Sequence, residues 1–154
     1  MVAPATQKAT PPDSGVYLLF LWLERPRRIR IGALGRIAFG EGLYLYAGSG
    51  RRTLRARIGR HRRRVKPPRW HIDYLRRHTL LLGAVVVPWV PGRECGVARA
   101  ALVFSGAEAP VPGFGSSDCG CAAHLAHFSP LSHRGDRRGA GVPPLEAVMA
   151  SKAG

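Results

Sequence analysis

The stretch that decides the fold is GVYLLFLWL, residues 15–23, an unbroken apolar run headed by a glycine. A run of this length, rich in residues that suit strands, predicts a strand buried on both faces. Residues 25–27 (RPR) end it, because proline closes a strand and favours a turn. Ordered structure is therefore expected to begin near Gly15.

Further strands follow within the next 30 residues. Residues 29–31 (IRI) alternate as a half-exposed strand does, and LYLY at residues 43–46 predicts another strand that ends at GSG, residues 48–50. Together, residues 15–47 are predicted to form an antiparallel meander, and residues 80–87 a later strand closed by Pro88.

From Arg51 onward the apolar period changes to that of a helix. Leu54, Ile58, His61 and Val65 recur on one helical stripe, and the prolines at 67–68 stop the pattern. A second short helix is predicted at residues 70–75 and a third at about 94–104. Either Ser117 or Asp118 is expected to cap a final helix that runs to about His127.

These elements predict an α+β fold, a small and mostly antiparallel sheet flanked by helices. We expect one domain at residues 14–129, a flexible leader at 1–13 and a disordered tail at 130–154. No apolar run approaches the roughly 20 residues of a membrane span, so no membrane is expected. The three cysteines and the absence of a signal core favour the cytoplasm.

The net charge of +15 is extreme for 154 residues and predicts a polyanionic partner, most readily DNA. The charge is localised, because ten basic residues and no acidic residue lie between Glu41 and Asp73. A solvated surface is the alternative, but so many like charges repel one another. Besides Arg57, the predicted DNA-binding residues are Arg51, Arg52, Arg55, Arg60, Arg62, Arg63, Arg64, Lys66 and Arg69.

Tyr17 and Tyr46 fall on two predicted strands that are expected to lie side by side, which brings two phenols together at the sheet edge. A phenolate can take a proton from water, but its pKa of about 10 needs a nearby metal or arginine to lower it. Ordinary sheet aromatics are the other interpretation, and Tyr44 is a rival because it shares the face of Tyr46.

Arg57 and His61 are one helical turn apart and are expected to face the sheet together. A guanidinium there could hold two phosphate oxygens and stabilise the transition state of phosphodiester cleavage. The alternatives are one more DNA backbone contact for Arg57 and a hydrogen-bonded core residue for His61.

Glu94 is the only acidic residue between Asp73 and Glu108, and its spacing from Val97 and Ala98 places it on the apolar face of its helix. An unpaired inward carboxylate is costly, so Glu94 is predicted to bind a hard divalent ion such as Mg²⁺. Favourable placement of an acid in the first turn of a helix is the alternative.

The cysteines suggest a second kind of metal site. Cys95, Cys119, Cys121 and His124 have the donor atoms of a structural Zn²⁺ site, with His127 further on. The spacing between Cys119 and Cys121 is irregular for such a site, so reduced thiols are the alternative interpretation.

Read in order, Gly15-Val16-Tyr17, Tyr46-Ala47-Gly48, Arg57 and Glu94 resemble the motif set of the GIY-YIG nuclease superfamily. The resemblance implies Tyr46 or Tyr17 as the general base, Arg57 as the phosphate clamp and Glu94 as the ligand of one Mg²⁺ or Mn²⁺. Three departures are an insertion between the tyrosine motifs, Ala47 in place of isoleucine, and a longer spacing to Arg57.

The pair at residues 60–61, the segment 70–75, Glu94-Cys95 and the segment 113–121 are similar to an uncharacterised branch sometimes fused to DNA-repair glycosylases. The sequence therefore predicts a metal-dependent DNA endonuclease or nickase of repair or recombination. A nuclease-like fold that only binds nucleic acid is the main alternative, and an RNA-binding accessory module is another.

Overall fold

The computed structural model describes residues 13–104 and 106–130, which form an α+β domain as predicted. The leader and tail predictions lie almost wholly outside the described residues. The strands are β1 Gly15–Leu23, β2 Arg27–Arg30, β3 Arg36–Phe39, β4 Gly42–Gly50, β5 Leu80–Val87, β6 Ala107–Glu108 and β7 Leu125–Phe128. The helices are α1 Leu54–Arg62, α2 His71–Arg76 and α3 Arg93–Leu102.

Five strands form one antiparallel sheet in the order β5-β1-β4-β7-β6. The two motif-bearing strands are direct neighbours, with Tyr17 opposite Gly48 and Leu19 opposite Tyr46. Strands β2 and β3 instead pair with each other in a separate two-stranded sheet. The predicted single meander is therefore wrong in part, because the segment between β1 and β4 is a hairpin inserted beside the main sheet.

Helices cover both faces of the main sheet. The face that carries Tyr17 and Leu19 packs against Leu54 and Ile58 of α1 and against Leu75 of α2. The opposite face, which includes Leu45 of β4 and Ala126 of β7, packs against α3. Because neighbouring residues of a strand point to opposite faces, residues next to each other in β4 serve two different layers.

The arginine-rich helix α1 is shorter than predicted. It ends at Arg62, where Arg63 turns to extended backbone, and Val65 is 86% exposed rather than on the inner stripe. The ammonium of Lys66 donates hydrogen bonds to the carbonyls of Arg60 and Arg63, 2.8 Å each. These bonds satisfy carbonyls that a helix end leaves without partners, so α1 stops before the prolines at 67–68.

The predicted final helix does not form. Residues 109–124 carry no helix or strand, and Leu125–Phe128 pairs with β4 as strand β7. A cap at Ser117 or Asp118 favours a helix locally, but the free edge of β4 offers backbone hydrogen bonds to any segment that reaches it. The pairing extends to Ala47, whose N–H donates to the carbonyl of His124 at 3.0 Å.

Strand β5 and helices α2 and α3 form within two residues of their predicted bounds. Within residues 13–104 and 106–130, no helix is both long enough and apolar enough to cross a bilayer.

Candidate functional site

The two tyrosines of the motif pair occupy neighbouring strands, as expected, but not the sheet edge. Strands β1 and β4 are the second and third of five, and the side chains of Tyr17 and Tyr46 are only 2% and 8% exposed. Tyr44 shares their face and is fully buried, where its hydroxyl donates to the carbonyl of Gly40 at 2.6 Å. This bond and a stack on His127 give Tyr44 a structural role.

Gly48 fixes the position of the Tyr17 ring. A β-carbon placed on Gly48 would lie 2.4 Å from the Tyr17 hydroxyl oxygen and 2.5 Å from the adjacent ring carbon. Side-chain atoms do not approach so closely, so only glycine lets the phenol lie across β4. Gly48 of the second motif therefore leaves the space that the ring of Tyr17, in the first motif, occupies.

His61 is completely buried and lies between the two tyrosines. Its Nε2 is 2.8 Å from the Tyr17 hydroxyl oxygen, and its ring centroid is 6.0 Å from that of Tyr46. Burial, reinforced by the nearby cation of Lys66, lowers the pKa of His61 to about 4, so the imidazole is neutral near pH 7.

The hydrogen bonds of His61 indicate its tautomer. Its Nδ1 has no hydrogen-bond partner within the described part of the chain. A buried N–H without an acceptor costs more than a bare lone pair, so the proton belongs on Nε2, which donates to Tyr17. The hydroxyl of Tyr17 then accepts the hydrogen bond from His61 and can donate its own proton to another group.

Arg57 is half-buried and connects this aromatic group to solvent. Its guanidinium carbon lies 5.0 Å from the ring centroid of Trp70, which in turn is 5.8 Å from His61. Its positive charge opposes the rise that burial causes in the pKa of Tyr17, and it adds to the lowering of the Glu94 pKa by His124 and Ser49. Arg57 therefore acts on a phenol from one layer of the fold and a carboxylate from the other.

Neither phenol is made acidic by these neighbours. Burial raises the pKa of Tyr17 to about 12 despite the opposing effect of Arg57. Burial and the adjacent Tyr17 raise the pKa of Tyr46 well above its usual value. A metal or an arginine was expected to favour the phenolate; the arginine by itself is not sufficient, because the loss of hydration at Tyr17 outweighs the guanidinium charge.

Glu94 begins the first turn of α3 and is not the unpaired carboxylate that was predicted. One oxygen accepts a hydrogen bond from the Ser49 hydroxyl, and the other lies 3.1 Å from Nδ1 of His124. Burial raises the pKa of Glu94, but the bonds from His124 and Ser49 outweigh it and hold that pKa below its usual range. The side chain remains 32% exposed.

Two cavities meet at Ser49. One, of about 280 Å³, is lined by Glu94 and His124 together with Trp89 and Cys119. The other, of about 510 Å³, is lined by Arg57 and the residues 51–53. Among the described residues that line these two cavities there is no tyrosine. Glu94 and Arg57 therefore line two different cavities that share Ser49.

The cysteines do come together, as the metal-site prediction required. One donor atom from each of Cys95, Cys119, Cys121 and His124 lies within 4.8 Å of the others, and the three thiols are free. This Cys₃His cluster could bind a metal ion. His127 lies apart from it, with Nε2 2.9 Å from the carbonyl oxygen of Glu41.

The cluster is electrostatically linked to Glu94. The hydrogen bond to Glu94 raises the pKa of His124 to about 9. His124 in turn lowers the pKa of the Cys121 thiol, whereas hydrogen bonding to Cys121 raises that of Cys95 to about 12. Cys121 therefore ionises more readily than an ordinary thiol, because the hydrogen bond with His124 stabilises its thiolate.

The basic segment divides into an exposed set and a structural set. Seven of the predicted DNA-binding residues are exposed: Arg51, Arg52, Arg55, Arg62, Arg63, Arg64 and Arg69. Lys66 is only 5% exposed and forms an ion pair with Asp73, so its assignment to the DNA surface is wrong. Arg60, half-buried, donates to Asp73 at 2.8 Å and is mainly structural as well.

Three contributors were missed from the sequence. Ser49 donates a hydrogen bond to Glu94. Trp89 lines the same cavity as Glu94, and its ring centroid lies 4.5 Å from the guanidinium carbon of Arg51. The buried guanidinium of Arg76 donates to the carbonyl of His61 at 2.7 Å. Ser49 carried a usable signal, since it directly follows the second tyrosine motif. The other two depend on contacts between distant segments.

Comparison with known proteins gives one family. No curated protein and no solved structure matches the chain. Residues 16–137 match a family described as a domain of unknown function, DUF123. The match includes every predicted catalytic residue and the whole Cys₃His cluster. Because it spans well over half of the 154 residues, the chain belongs to the DUF123 family.

Proposed function

We propose that this protein is a metal-dependent DNA endonuclease or nickase of GIY-YIG type that acts in repair or recombination. The observation that carries the proposal is the position of Arg57. Its guanidinium opposes the rise in the pKa of Tyr17, helps to lower that of Glu94, and lines a cavity together with the exposed Arg51 and Arg52. A phosphate in that cavity would be held by the guanidinium with the phenol and carboxylate nearby.

DNA is the proposed partner, held through its backbone. The seven exposed arginines lie in or beside α1, and phosphate contacts of this kind give affinity without sequence readout. Each contact releases counterions, so binding weakens steeply as salt rises. A flat response to salt would contradict this surface.

Glu94 suits one Mg²⁺ or Mn²⁺. Each of its carboxylate oxygens accepts one hydrogen bond and therefore retains a lone pair, and the side chain faces a polar cavity. Such ions are commonly held by one or two carboxylates and keep several waters. Bound there, the ion would supply positive charge against the charge that develops on the phosphate.

The remaining steps belong to the chain itself. Arg57 orients the phosphate, and the His61 Nε2–H holds the phenol oxygen of Tyr17. The attacking water has to lose a proton, which Tyr17 can accept only as a phenolate. Because burial raises the pKa of Tyr17 to about 12, the bound ion would have to favour that phenolate together with Arg57. Tyr46 supports His61 by packing.

For the Cys₃His cluster we propose Zn²⁺. Three thiolates and one imidazole are the donor set of closed, tetrahedral structural zinc sites. Thiols that bind zinc must stay reduced, which is consistent with the cytoplasm as the place where the protein acts.

A nuclease-like module that binds nucleic acid without cutting it is the second candidate. It is favoured by the hydrogen bonds that Glu94 already makes and by the raised pKa of both tyrosines. Under this alternative Glu94 has no role in catalysis and the exposed arginines alone carry the function.

Incubation of supercoiled plasmid and branched DNA with Mg²⁺ or Mn²⁺ separates the two candidates. The native chain and Glu108→Ala, an exposed acid on β6, should cut, whereas Glu94→Ala should bind DNA equally but cut at least about 100-fold more slowly. Binding without cutting by all three proteins would establish the second candidate. Equal cutting by Glu94→Ala would remove Glu94 from the mechanism.

A further inference from the structure

His124 faces two different groups with its two ring nitrogens. Its Nε2 lies 3.4 Å from the sulfur of Cys119, within the Cys₃His cluster. Its Nδ1 lies 3.1 Å from a carboxylate oxygen of Glu94, outside that cluster. The ring is 3% exposed, so both contacts are made away from bulk solvent. Buried imidazoles with a carboxylate on the far nitrogen recur as metal ligands, because the carboxylate fixes the tautomer.

The separations suit a tetrahedral ion. Bonds of about 2.3 Å to sulfur and 2.0 Å to nitrogen place neighbouring ligand atoms roughly 3.5–3.8 Å apart. The observed 3.4 Å between the Cys119 sulfur and the His124 nitrogen agrees with this, and all four donor atoms lie within 4.8 Å. From a separation of 4.8 Å, a contraction of about 1.0–1.3 Å in the widest pair would close the site.

The cluster joins the first turn of α3 to the irregular segment 109–124. Cys95 lies in the first turn of α3, next to Glu94, whereas the other three ligands come from the end of the irregular segment 109–124. A bound ion would therefore fix the first turn of α3 against the residues that lead into β7. Glu94 would be fixed with it, since it is the neighbour of one ligand and the hydrogen-bond partner of another.

We propose that Glu94 is the outer-sphere partner of a zinc ion bound by Cys95, Cys119, Cys121 and His124, so that zinc binding sets the position of this carboxylate. His124 binds the ion through Nε2 and donates its Nδ1–H to one oxygen of Glu94. Ser49 donates to the other oxygen, which fixes the carboxylate at both ends. The consequence for cleavage rests on the proposed nuclease function; the zinc site itself does not.

Asp118 provides a matched control for the charge of Glu94. It lines the same cavity and is adjacent to Cys119 in sequence, but it is exposed, and His124 makes its carboxylate contact with Glu94. A general electrostatic effect on the ion would act from both acids. A specific effect through the imidazole would act from Glu94 alone.

The experiment measures zinc affinity of the full chain by competition with a chromophoric chelator, in the absence of nucleic acid. The native protein should bind one Zn²⁺, and Cys119→Ser should lose tight binding. Glu94→Ala should bind zinc roughly 10–100-fold more weakly, while Asp118→Ala should stay within about threefold of the native protein. Circular dichroism establishes that each variant is folded.

Cobalt reports the ligand set separately from affinity. Co²⁺ bound to Glu94→Ala should give the same visible absorption bands as in the native chain, because Glu94 is not a ligand. Native zinc affinity in Glu94→Ala, or an equal loss in Asp118→Ala, would overturn the proposal. So would a changed cobalt spectrum in Glu94→Ala, which would make Glu94 a direct ligand.

The outcomes remain distinguishable from those of the cleavage assay. A protein that never cuts DNA but loses zinc affinity in Glu94→Ala would retain this inference and lose the proposed nuclease function. A protein that cuts DNA while Glu94→Ala binds zinc normally would do the reverse. If both hold, removal of zinc should slow cleavage by displacing Glu94, and Mg²⁺ added in excess should not restore the rate.

Discussion

Two groups of side chains lie on either side of strand β4, and they differ in almost every physical respect. The tyrosine cluster, comprising Tyr17, Tyr46, His61 and Trp70, is aromatic, largely buried and uncharged near pH 7. The glutamate cluster, comprising Ser49, Glu94, His124 and the three cysteines, is polar and lines an open cavity. Two consecutive residues of β4 contact the two clusters. Gly48 leaves space for the Tyr17 ring of the tyrosine cluster, and Ser49 donates a hydrogen bond to Glu94 of the glutamate cluster.

The difference separates the side chains that shape the site from those able to carry charge. In the tyrosine cluster, loss of hydration raises the pKa of both phenols and so favours their protonated form. In the glutamate cluster, hydrogen bonds from His124 and Ser49 hold the pKa of a carboxylate below its usual range. The Arg57 guanidinium acts on both clusters, because its charge opposes the rise in the Tyr17 pKa and adds to the lowering of the Glu94 pKa.

The largest expected difference is in the free energy of unfolding when an acidic residue is removed beside each of the two clusters. Asp73, buried beside the tyrosine cluster, accepts from the backbone N–H groups of Arg69 and Trp70 and pairs with Arg60 and Lys66. Asp73→Ala leaves two partly buried cations unpaired and should lower the free energy of unfolding by about 3–5 kcal/mol. Asp118→Ala, in the open cavity, should change it by less than about 0.5 kcal/mol. Urea unfolding of both variants measures this.

Equal destabilisation by the two substitutions would contradict the division between a buried and an open half. It would mean that the exposed acid of the cavity carries as much structural energy as the buried one.

The next effect concerns pH. Because burial lowers the pKa of His61 from 6.5 to about 4, the unfolded chain takes up a proton at this site before the folded chain does. The free energy of unfolding is therefore unaffected by this group above pH 6.5. As the pH falls from 6.5 towards 4, protonation of the unfolded chain lowers the free energy of unfolding by about 3 kcal/mol in all. Unfolding free energies measured across this window should therefore fall more steeply for the native chain than for His61→Asn.

Lys66, Asp73, Arg60 and Arg57 are the charged groups that act on His61, and His61→Asn leaves all of them in place. The difference between the two slopes thus isolates the imidazole. Parallel slopes would show that His61 is not held neutral by burial.

A smaller effect concerns two glycines. Gly48→Ala forces its methyl group into the Tyr17 ring and should cost about 1–3 kcal/mol, because the tightly packed ring has to move. Gly59→Ala in α1 has no atom within 4 Å of the new methyl group and should stabilise the helix by up to about 1 kcal/mol. Thermal unfolding of the pair gives the sign directly. Loss of stability in both would argue against close packing at Tyr17 as the cause.

The smallest expected effect lies on the exposed surface. Arg55→Ala removes one exposed cation and should leave stability within about 0.5 kcal/mol while reducing the salt dependence of DNA binding by about one unit of slope. Arg76→Ala removes a buried cation that donates to the carbonyls of His61 and Thr79. It should lower the free energy of unfolding and leave the salt dependence of DNA binding unchanged. Fluorescence anisotropy over a salt series, together with urea unfolding, compares the two.

Several features of the fold followed from local sequence. The apolar run at residues 15–23 was sufficient to predict β1, and the order of strand and helix patterns predicted the α+β class. The prolines at 67–68 placed the end of the arginine-rich helix too late, because α1 ends at Arg62. The final helix was predicted from a cap at Ser117 or Asp118, but Leu125–Phe128 pairs with β4 as a strand. The prediction for Val65 was wrong because Lys66 and Arg63 end α1 one turn early.

The site was predicted less completely than the fold. Periodicity predicted that His61 faces the sheet and that Glu94 lies on the apolar face of its helix, but it gave no information about the partners of either residue. Ser49 and His124 approach Glu94 from segments 45 and 30 residues away. Lys66 looked like part of the DNA surface because its burial depends on Asp73, which lies beyond the proline break.

By itself the sequence determined the local quantities: which segments are extended or helical, where positive charge accumulates, and which side chains can donate to metals or phosphates. These follow from propensity, periodicity and formal charge. Only the tertiary structure decided which charges remain in water, which phenols keep their protons and which four donors meet. Those outcomes depend on the hydration that side chains lose and on the partners that they meet when distant segments pack together, and no local pattern in the chain records them.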